Sequence, residues 1–410
     1  QDVCFFGELL LKMSILTILE LDRRAKELGR QRGLRRSLFA SLRADAGRHF
    51  IGIVGPRGAG KTILLQQLAG SCDESIYISL DTLPRDVDLY SVVRELAEGY
   101  KYKRFFLDEI HFADNGLGAL KQFYDFLDVR IFFTSSVALR IRDSVYDLAR
   151  RVALHSLDYF SFREYLEFKH GEVLQRLEME ALLEGSVTPD YLRTADRFES
   201  YLAGGLIPYA LEEPDPFPLL EATLEAIIAK DIPNSLRLRI DELETLRRMI
   251  AFIGRSTVDG INYSSLSNNL GITKYKAEQY VAAFENAFIL QRIFPAGTNV
   301  LKEPKVLLMP PIRKLYRTMD EVRGGLREDF FAMAMRQAGR DVNYLKSTRG
   351  QKTPDFLLQY KGSHLVFEIG GKGKGRSQFK GIQADRKIVM AEGAEFSSSR
   401  MPLHLAGFLA

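Results

Sequence analysis

This sequence has little cysteine, almost no excess charge and no long apolar run, and each shortage excludes something. Cys4 and Cys72 are the two cysteines in 410 residues. They form neither a metal-binding pattern nor a disulfide framework, which fits a reducing, cytoplasmic setting. Lys+Arg 57 against Asp+Glu 53 leaves a net charge of +4, too small to imply nucleic acid by itself. No stretch is long and apolar enough to cross a membrane. The apolar segment Val3–Leu19 carries Glu8 and Lys12. It lacks a basic leader and a small-residue cleavage site, so a packed amphipathic helix is expected there rather than a signal peptide. There is no internal repeat and no low-complexity tract. What is present is ordinary for a globular chain: 46% hydrophobic and 27% charged residues. The length suggests roughly two to four compact units.

The charge is unevenly placed. Nine basic and two acidic residues lie between Arg23 and Arg48, and seven basic and two acidic between Lys361 and Lys387. Such clusters attract phosphate; the first reads equally well as a solvated helix face.

Helix is expected to about Leu42, broken near Gly29 and Gly33. From His49 the pattern changes to short β-branched apolar runs alternating with helical spacing. Strands are expected at His49–Val54, Ser75–Asp81, Arg104–Leu107 and Arg130–Thr134. Helices are expected after Gly60, over Leu89–Glu98 and over Gly118–Leu127. This alternation predicts an α/β fold with a parallel sheet covered on both faces. After Ser161 the alternation stops. Phe162–Leu183, Tyr191–Leu202, Leu219–Ala229 and most of Leu243–Leu290 read as helix, and Ile289–Phe294 with Lys305–Met309 as a hairpin. A last unit begins near Gly325 with a helix, then strands at Asp341–Lys346, Thr353–Gln359 and His364–Ile369.

Gly55-Pro56-Arg57-Gly58-Ala59-Gly60-Lys61-Thr62 matches G-x-x-x-x-G-K-[ST], with Ile63 opening the apolar helix that follows. The glycines let backbone N–H groups face phosphate oxygens, and the helix offers its positive end to the same charge. Lys61 is expected to reach the β- and γ-phosphates, and Thr62 to give a hydroxyl to Mg²⁺. Phe105-Phe-Leu-Asp108-Glu109 is an apolar strand ending in acids. Asp108 is expected to hold Mg²⁺, and Glu109 to polarise the attacking water. Asp108-Glu-Ile-His111 also fits the D-E-x-H box of two-lobed helicases, but nothing after Ser161 reads as a second lobe. His111 is therefore expected to be a loop histidine satisfied by solvent. Thr134-Ser135-Ser136 ends the fourth strand. Ser135 there either senses the γ-phosphate or merely ends the strand. Arg151, beside Arg150, is a candidate for stabilising transition-state charge, in cis or from a neighbouring subunit.

Together with Leu157-Asp-Tyr-Phe-Ser-Phe-Arg-Glu-Tyr-Leu166 and Tyr201-Leu-Ala-Gly-Gly-Leu-Ile-Pro208, these motifs resemble a family of prokaryotic AAA+-like P-loop ATPases. The resemblance covers nearly the whole chain. It implies a helical segment over 1–45, an ATPase core over 46–160, a helical lid over 161–245, a winged-helix domain over 246–318 and a PD-(D/E)XK nuclease-like α/β domain over 319–410. ATP and Mg²⁺ are the implied cofactors.

The residues support a winged helix independently. Tyr263–Leu270, a tight turn at Gly271 and a second helix form a helix-turn-helix pattern. Lys274, Tyr275, Lys276 and Gln279 near the start of the second helix are expected to face a major groove. Subunit contact is the bland alternative. In the terminal domain, Asp355 and Glu368 stand at suitable strand positions, and Glu328 adds a helix-borne acid. Gly370 holds the place where such nucleases carry lysine, and Lys372 or Lys374 would have to reach in from the loop. The expectation is a decayed nuclease fold in which Lys372, Lys374, Arg376 and Lys380 hold DNA phosphates. The functional expectation is a Mg²⁺-dependent ATPase coupling hydrolysis to DNA binding or remodelling, possible as a homo-oligomer, without membrane contact. A nucleotide-dependent switch acting on a protein, and an ATP-regulated nuclease, are the alternatives.

Overall fold

The computed structural model describes residues 2–84, 87–136, 150–236, 238–256, 260–297, 303–345 and 353–410, with the side chains of 2–14, 234 and 235 excepted. The chain divides into two compact units, 1–158 and 159–410.

The first unit opens with α1 (Asp2–Gln31) and α2 (Leu38–Ala44). Then follow β1 (Phe50–Val54), α3 (Lys61–Gly70), β2 (Ser75–Ser79), α4 (Leu89–Glu98), β3 (Arg104–Asp108), α5 (Gly116–Phe126), β4 (Arg130–Ser135) and β5 (Val152–Ser156). All strands are parallel, in the order β2-β3-β4-β1-β5. After β1 the chain leaves for the far edge and returns through β3 to β4, beside β1. The ends of β1 and β3 are thus separated by β4 alone, a crevice at the carboxyl edge of the sheet where ligands bind in such folds. Every residue of β1 is buried, as expected of a strand covered on both faces. β5 was not expected: it is a half-exposed edge strand carrying His155 and Ser156, so its sequence lacks the apolar run that marks β1 and β3.

The expected break at Gly29 is absent, since α1 continues to Gln31. A β-carbon at Gly29 would stand 2.3 Å from Gln66 O, so glycine there allows α1 to press against α3. The basic cluster is largely consumed by the unit itself. Lys26 reaches Asp22 and Ser75 O, Arg30 reaches Gly70 O at 2.9 Å, and Arg43 reaches Ser71 O at 3.3 Å. The last two cap the carbonyl end of α3, where cations are favoured.

The second unit is helical at first. The expected helix over 162–183 is shorter. Phe162–Tyr165, started by a Ser161–Glu164 capping box, widens through His170, and helix resumes at Met179–Glu184. The helix Phe217–Ala226 follows, then α6 (Ile240–Arg255), α7 (Tyr263–Leu270) and α8 (Lys274–Asn286). They lead into an antiparallel pair, β6 (Leu290–Ile293) and β7 (Lys305–Leu308). Next come α9 (Met319–Gln337) and a sheet of β8 (Val342–Asn343), β9 (Phe356–Tyr360), β10 (Ser363–Gly370), β11 (Arg386–Ala391) and β12 (Arg400–Pro402), in the order β12-β11-β10-β9-β8. β8, β9 and β10 pair antiparallel, while β10, β11 and β12 pair parallel. The expected strand reaching Lys346 ends in residues outside those described. Among the described residues, no helix is long and apolar enough to cross a membrane.

Candidate functional site

The crevice is built from the ends of β1, β3 and β4. Gly60, just before α3, has φ 88° and ψ 23°. Nothing stands within 4 Å of the β-carbon it lacks. The left-handed backbone, not crowding, therefore selects glycine at the turn into the helix. Lys61 is 4% exposed, and its Nζ donates to Gly55 O at 2.9 Å and Pro56 O at 3.0 Å. Arg36, in the link between α1 and α2, supports the loop from behind. Its Nη1 donates to Ala59 O at 2.6 Å and its Nη2 to Asp158 O at 2.8 Å. Sequence reasoning missed Arg36, because nothing distinguishes it from the other arginines of its cluster.

Asp108 ends β3 with 3% exposure. Its hydrogen-bond partners are hydroxyls. Tyr77 Oη donates to Oδ2 at 2.7 Å, Thr134 Oγ1 donates to Oδ1, and Thr62 is a further partner. Burial pushes the Asp108 carboxyl above its ordinary range, and the hydroxyls offset this only in part. Burial, then the Asp108 charge, raises the Tyr77 phenol in turn. A buried carboxylate among hydroxyls, with Thr62 alongside, fits a hard divalent cation.

Glu109 follows in a left-handed conformation, φ 53° and ψ 57°, unusual for a residue with a side chain. Ser136 N and Oγ donate to Glu109 Oε2 at 3.0 and 3.2 Å. Burial alone would raise this carboxyl. The hydrogen bond from His111, the charges of Lys61 and His111 and the Ser136 amide outweigh it and hold Glu109 at about 2. It is therefore ionised throughout the neutral range. Thr134 connects the two acids: its hydroxyl donates to Asp108 and accepts from Glu109 N at 2.8 Å.

Two expectations are corrected here. His111 is not a solvent-satisfied loop residue: its side chain is 14% exposed, with Nδ1 3.2 Å from Glu109 Oε2 and 3.3 Å from Ser135 Oγ. Arg151 is not brought to the site within its own chain. It precedes β5, and its Nε and Nη2 hold Asp125 at 3.0 and 3.1 Å. In a parallel sheet the strand beginnings and ends lie on opposite edges, so Arg151 is about a strand length from the crevice. Ser135 is fully buried at the end of β4; its neighbours Thr134 and Ser136 are the ones that touch the acids.

In the second unit, the lysines expected to face DNA are both ion-paired. Lys274 Nζ is 2.5 Å from Glu303 Oε1, and Lys276 Nζ is 2.9 Å from Glu242 Oε1. Tyr275 is 68% exposed between them. Glu328, Asp355 and Glu368 are close enough for the charges of both glutamates to act on Asp355. Lys374 Nζ lies 2.5 Å from Glu368 Oε1, so a lysine does reach this cluster from the loop. Lys372, Arg376 and Lys380 are exposed on the same loop.

Comparison with known proteins bears on the first unit most directly. Residues 47–166 match the family model described as AAA domain, and residues 195–309 match a domain of unknown function (DUF8612). An uncharacterized protein of Methanocaldococcus jannaschii is 27% identical over 401 residues, covering 87% of this chain and 84% of the relative. Among solved structures, PCH-2 of C. elegans has a TM-score of 0.29 at 17% identity, over 47% of this chain and 59% of that one. AMPPCP-bound DnaA from Aquifex aeolicus has a TM-score of 0.25 at 15% identity, over 60% of this chain and 86% of that one. The S. cerevisiae Hsp104-ADP complex has a TM-score of 0.31 at 15% identity, over 77% of this chain and 43% of that one. The segment holding the phosphate loop, Asp108, Glu109 and the β4 hydroxyls is thus similar to AAA domains, on a mixed α/β unit with a parallel sheet.

Proposed function

We propose that the chain is a Mg²⁺-dependent ATP hydrolase that couples nucleotide turnover to DNA. The observation that carries the hydrolase reading is Glu109. It is an ionised carboxylate fixed by Ser136 and His111, one residue beyond a buried acid and across β4 from a phosphate loop. Lys61 and the loop amides hold the β- and γ-phosphates, which concentrates positive charge where negative charge grows. Glu109 accepts a hydrogen bond from the attacking water and orients it towards the γ-phosphorus. Thr62 and Asp108 would hold the Mg²⁺, which would supply positive charge against the phosphates. Replacing Lys61 by alanine removes a phosphate contact and is expected to weaken nucleotide binding. Mg²⁺-independent turnover, or turnover unchanged in Lys61→Ala, would refute this reading.

The DNA part is supported by α7 and α8, joined by a short turn and followed by the β6–β7 pair, in the layout of a winged helix. Exposed Tyr275 and the basic loop at 372–380 add to that support. ATP turnover measured with single-stranded, duplex and branched DNA separates this reading from a switch that acts on a protein. Stimulation by DNA is expected, and indifference to all three forms would favour the switch. One observation favours a second reading, an ATP-regulated nuclease: the contact of Lys374 with Glu368 in the terminal sheet.

A further inference from the structure

Helix α6 buries one face through Leu246, Met249, Ile250 and Ile253. Its other side carries Arg248, Ala251, Phe252 and Arg255. Their spacing of i, i+3, i+4 and i+7 makes a single stripe. The two arginines are about 10.5 Å apart along the axis and within about 20° in direction. With Asn269 and Leu270 from the end of α7, the stripe lines a cleft of about 490 Å³. Arg248, Arg255 and Asn269 are exposed, Ala251 and Phe252 are half-buried, and Leu270 is buried. The cleft thus has an apolar floor with one aromatic ring, and a cation at each end.

These two cations differ from their neighbours. Among the described residues, neither Arg248 nor Arg255 has a hydrogen-bond or ion-pair partner. Arg247, on the same helix, is held by Glu225 at 3.0 Å, and Arg239 by Asp241 at 2.9 Å. At the head of α8, Lys274 is held by Glu303 and Lys276 by Glu242, which also accepts from Tyr280 Oη at 2.5 Å. A phosphate arriving at α8 must displace a carboxylate from each lysine. At the cleft it meets guanidiniums whose planar forks match its oxygens and have no anion to give up. The basic loop at 372–380 also exposes cations, but its one aromatic, Phe379, is 4% exposed. That loop can hold phosphates and offers a base no ring to lie on.

We propose that the cleft between α6 and α7 holds single-stranded DNA, with Arg248 and Arg255 on the phosphates that bracket a nucleotide and its base laid against Phe252. The proposal rests on the DNA reading and moves the contact from the head of α8 to the opposite side of the helix-turn-helix. The mixed lining selects the form of DNA. A duplex keeps its bases paired and stacked, so it offers a protein phosphates and groove edges and has no use for an apolar floor. A single strand has open base faces, and a basic groove with an aromatic platform holds it with little regard to sequence. The arginine stems are long enough for both guanidiniums to close on the backbone while the base lies between them. Asn269 can donate to or accept from the edge of that base.

The test uses the full chain, with fluorescence anisotropy of labelled oligothymidylate and of a duplex of equal length across a potassium chloride series. Thermal unfolding checks that each variant is folded. The wild type is expected to bind the single strand more tightly than the duplex. Arg248→Ala with Arg255→Ala should weaken single-strand binding and lower the slope of log affinity against log salt by about 1.4, since each phosphate contact on a single strand contributes about 0.7. Lysine at both positions should keep the slope, because the charge stays. Phe252→Leu keeps an apolar floor and loses the ring, so affinity should fall roughly 5–150-fold with the slope unchanged. If the wild type binds DNA and the double alanine variant keeps its affinity and slope, the cleft is not the contact, although the DNA reading stands. An equal loss of slope on the duplex, with no effect of Phe252→Leu on either form, makes the cleft a duplex-backbone contact and overturns the single-strand assignment. A wild type that binds neither form of DNA overturns the DNA reading and the proposal with it; binding of labelled poly-glutamate in that case, lost in the double alanine variant, would make the cleft a dock for an acidic protein segment.

Discussion

Thr134→Val replaces one hydroxyl by a methyl at a position that is 0% exposed, and it severs both links between the two acids of the crevice. The hydroxyl gives its proton to Asp108 and takes the amide proton of Glu109. Losing a hydrogen bond to a charged group costs about 1.5–3 kcal/mol, and a buried N–H left unpaired costs about 1–3 kcal/mol. The unfolding free energy should fall by roughly 3–5 kcal/mol, a large part of the roughly 5–15 kcal/mol that holds a domain together. Thr134→Ser keeps the hydroxyl and removes one methyl, so it should cost only about 1 kcal/mol. The catalytic consequence runs through Glu109, whose left-handed backbone is a strained state of about 1–3 kcal/mol that its surroundings must enforce. Without the Thr134 acceptor that residue relaxes, and a misplacement of about 1 Å is enough to slow turnover by roughly 10²-fold. Nucleotide affinity should hold, because the phosphate loop keeps its own contacts. Urea unfolding and steady-state ATP turnover on the three proteins are the assays. If valine and serine variants unfold within about 0.5 kcal/mol of each other, or valine turns over ATP like wild type, Thr134 does not brace the site.

Four further outcomes follow from the same geometry. Glu109→Gln should keep nucleotide binding and slow hydrolysis by roughly 10²–10⁴-fold, since the water loses its acceptor. Glu109 is held at about 2 rather than the ordinary 4.5. Its contribution of up to roughly 3 kcal/mol is present above pH 4.5 and lost as pH falls through about 2, so the glutamine variant should show a flatter acid-unfolding profile. Asp108→Asn should do the reverse at neutral pH. A carboxyl whose folded value is raised costs stability above that value, so the variant should melt higher than wild type yet lose the rise in Tm that Mg²⁺–nucleotide gives wild type. Arg36→Ala should raise the nucleotide Kd several-fold by releasing Ala59 O and Asp158 O, with kcat nearly kept; an unchanged Kd would remove Arg36 from loop support. Lys274→Ala with Lys276→Ala should reduce the salt slope of DNA binding by less than the roughly two counterions that two free lysines would release, because both are already paired with glutamates.

What could be read from the sequence and what could not divide by the distance over which the contacts form. The strand, loop and helix around Gly55–Thr62, and the acid-ended strand at Arg104–Asp108, carry their signals within a few residues, and both appear where the pattern puts them. The partners that give these acids their character come from elsewhere. Tyr77 and Thr134 reach Asp108 from 31 and 26 residues away, and Ser136 reaches Glu109 from 27. No local period encodes which hydroxyl faces which carboxylate; the sheet order does, by placing β4 between β1 and β3 and β2 beside β3. Arg151 shows the converse case within one chain, for an arginine near a strand is an in-cis candidate until the strand's direction shows which edge it occupies.

Lys374 stands in the sequence only as one of two loop lysines that would have to reach in, and is discounted for a different reason. Counting along β10 asks for a lysine at 370, and Gly370 answers that with an absence. Yet the glycine is what admits the lysine, since any β-carbon there would overlap the Lys374 stem. A missing charge read along one strand can therefore be a charge supplied by the next loop, and the two cases differ in a measurable way. If Gly370 marked simple loss of function, alanine at 370 would be tolerated and the loop at 372–374 would be free to move. If it marks a displaced lysine, alanine at 370 must push Lys374 from Glu368, stripping the buried Oε1 of its cation beside an Oε2 that has no partner. The cost of stripping that cation from a buried carboxylate, about 1–3 kcal/mol for a buried polar group and more for a charged one, ties a glycine that touches no ligand to the carboxylates beside it.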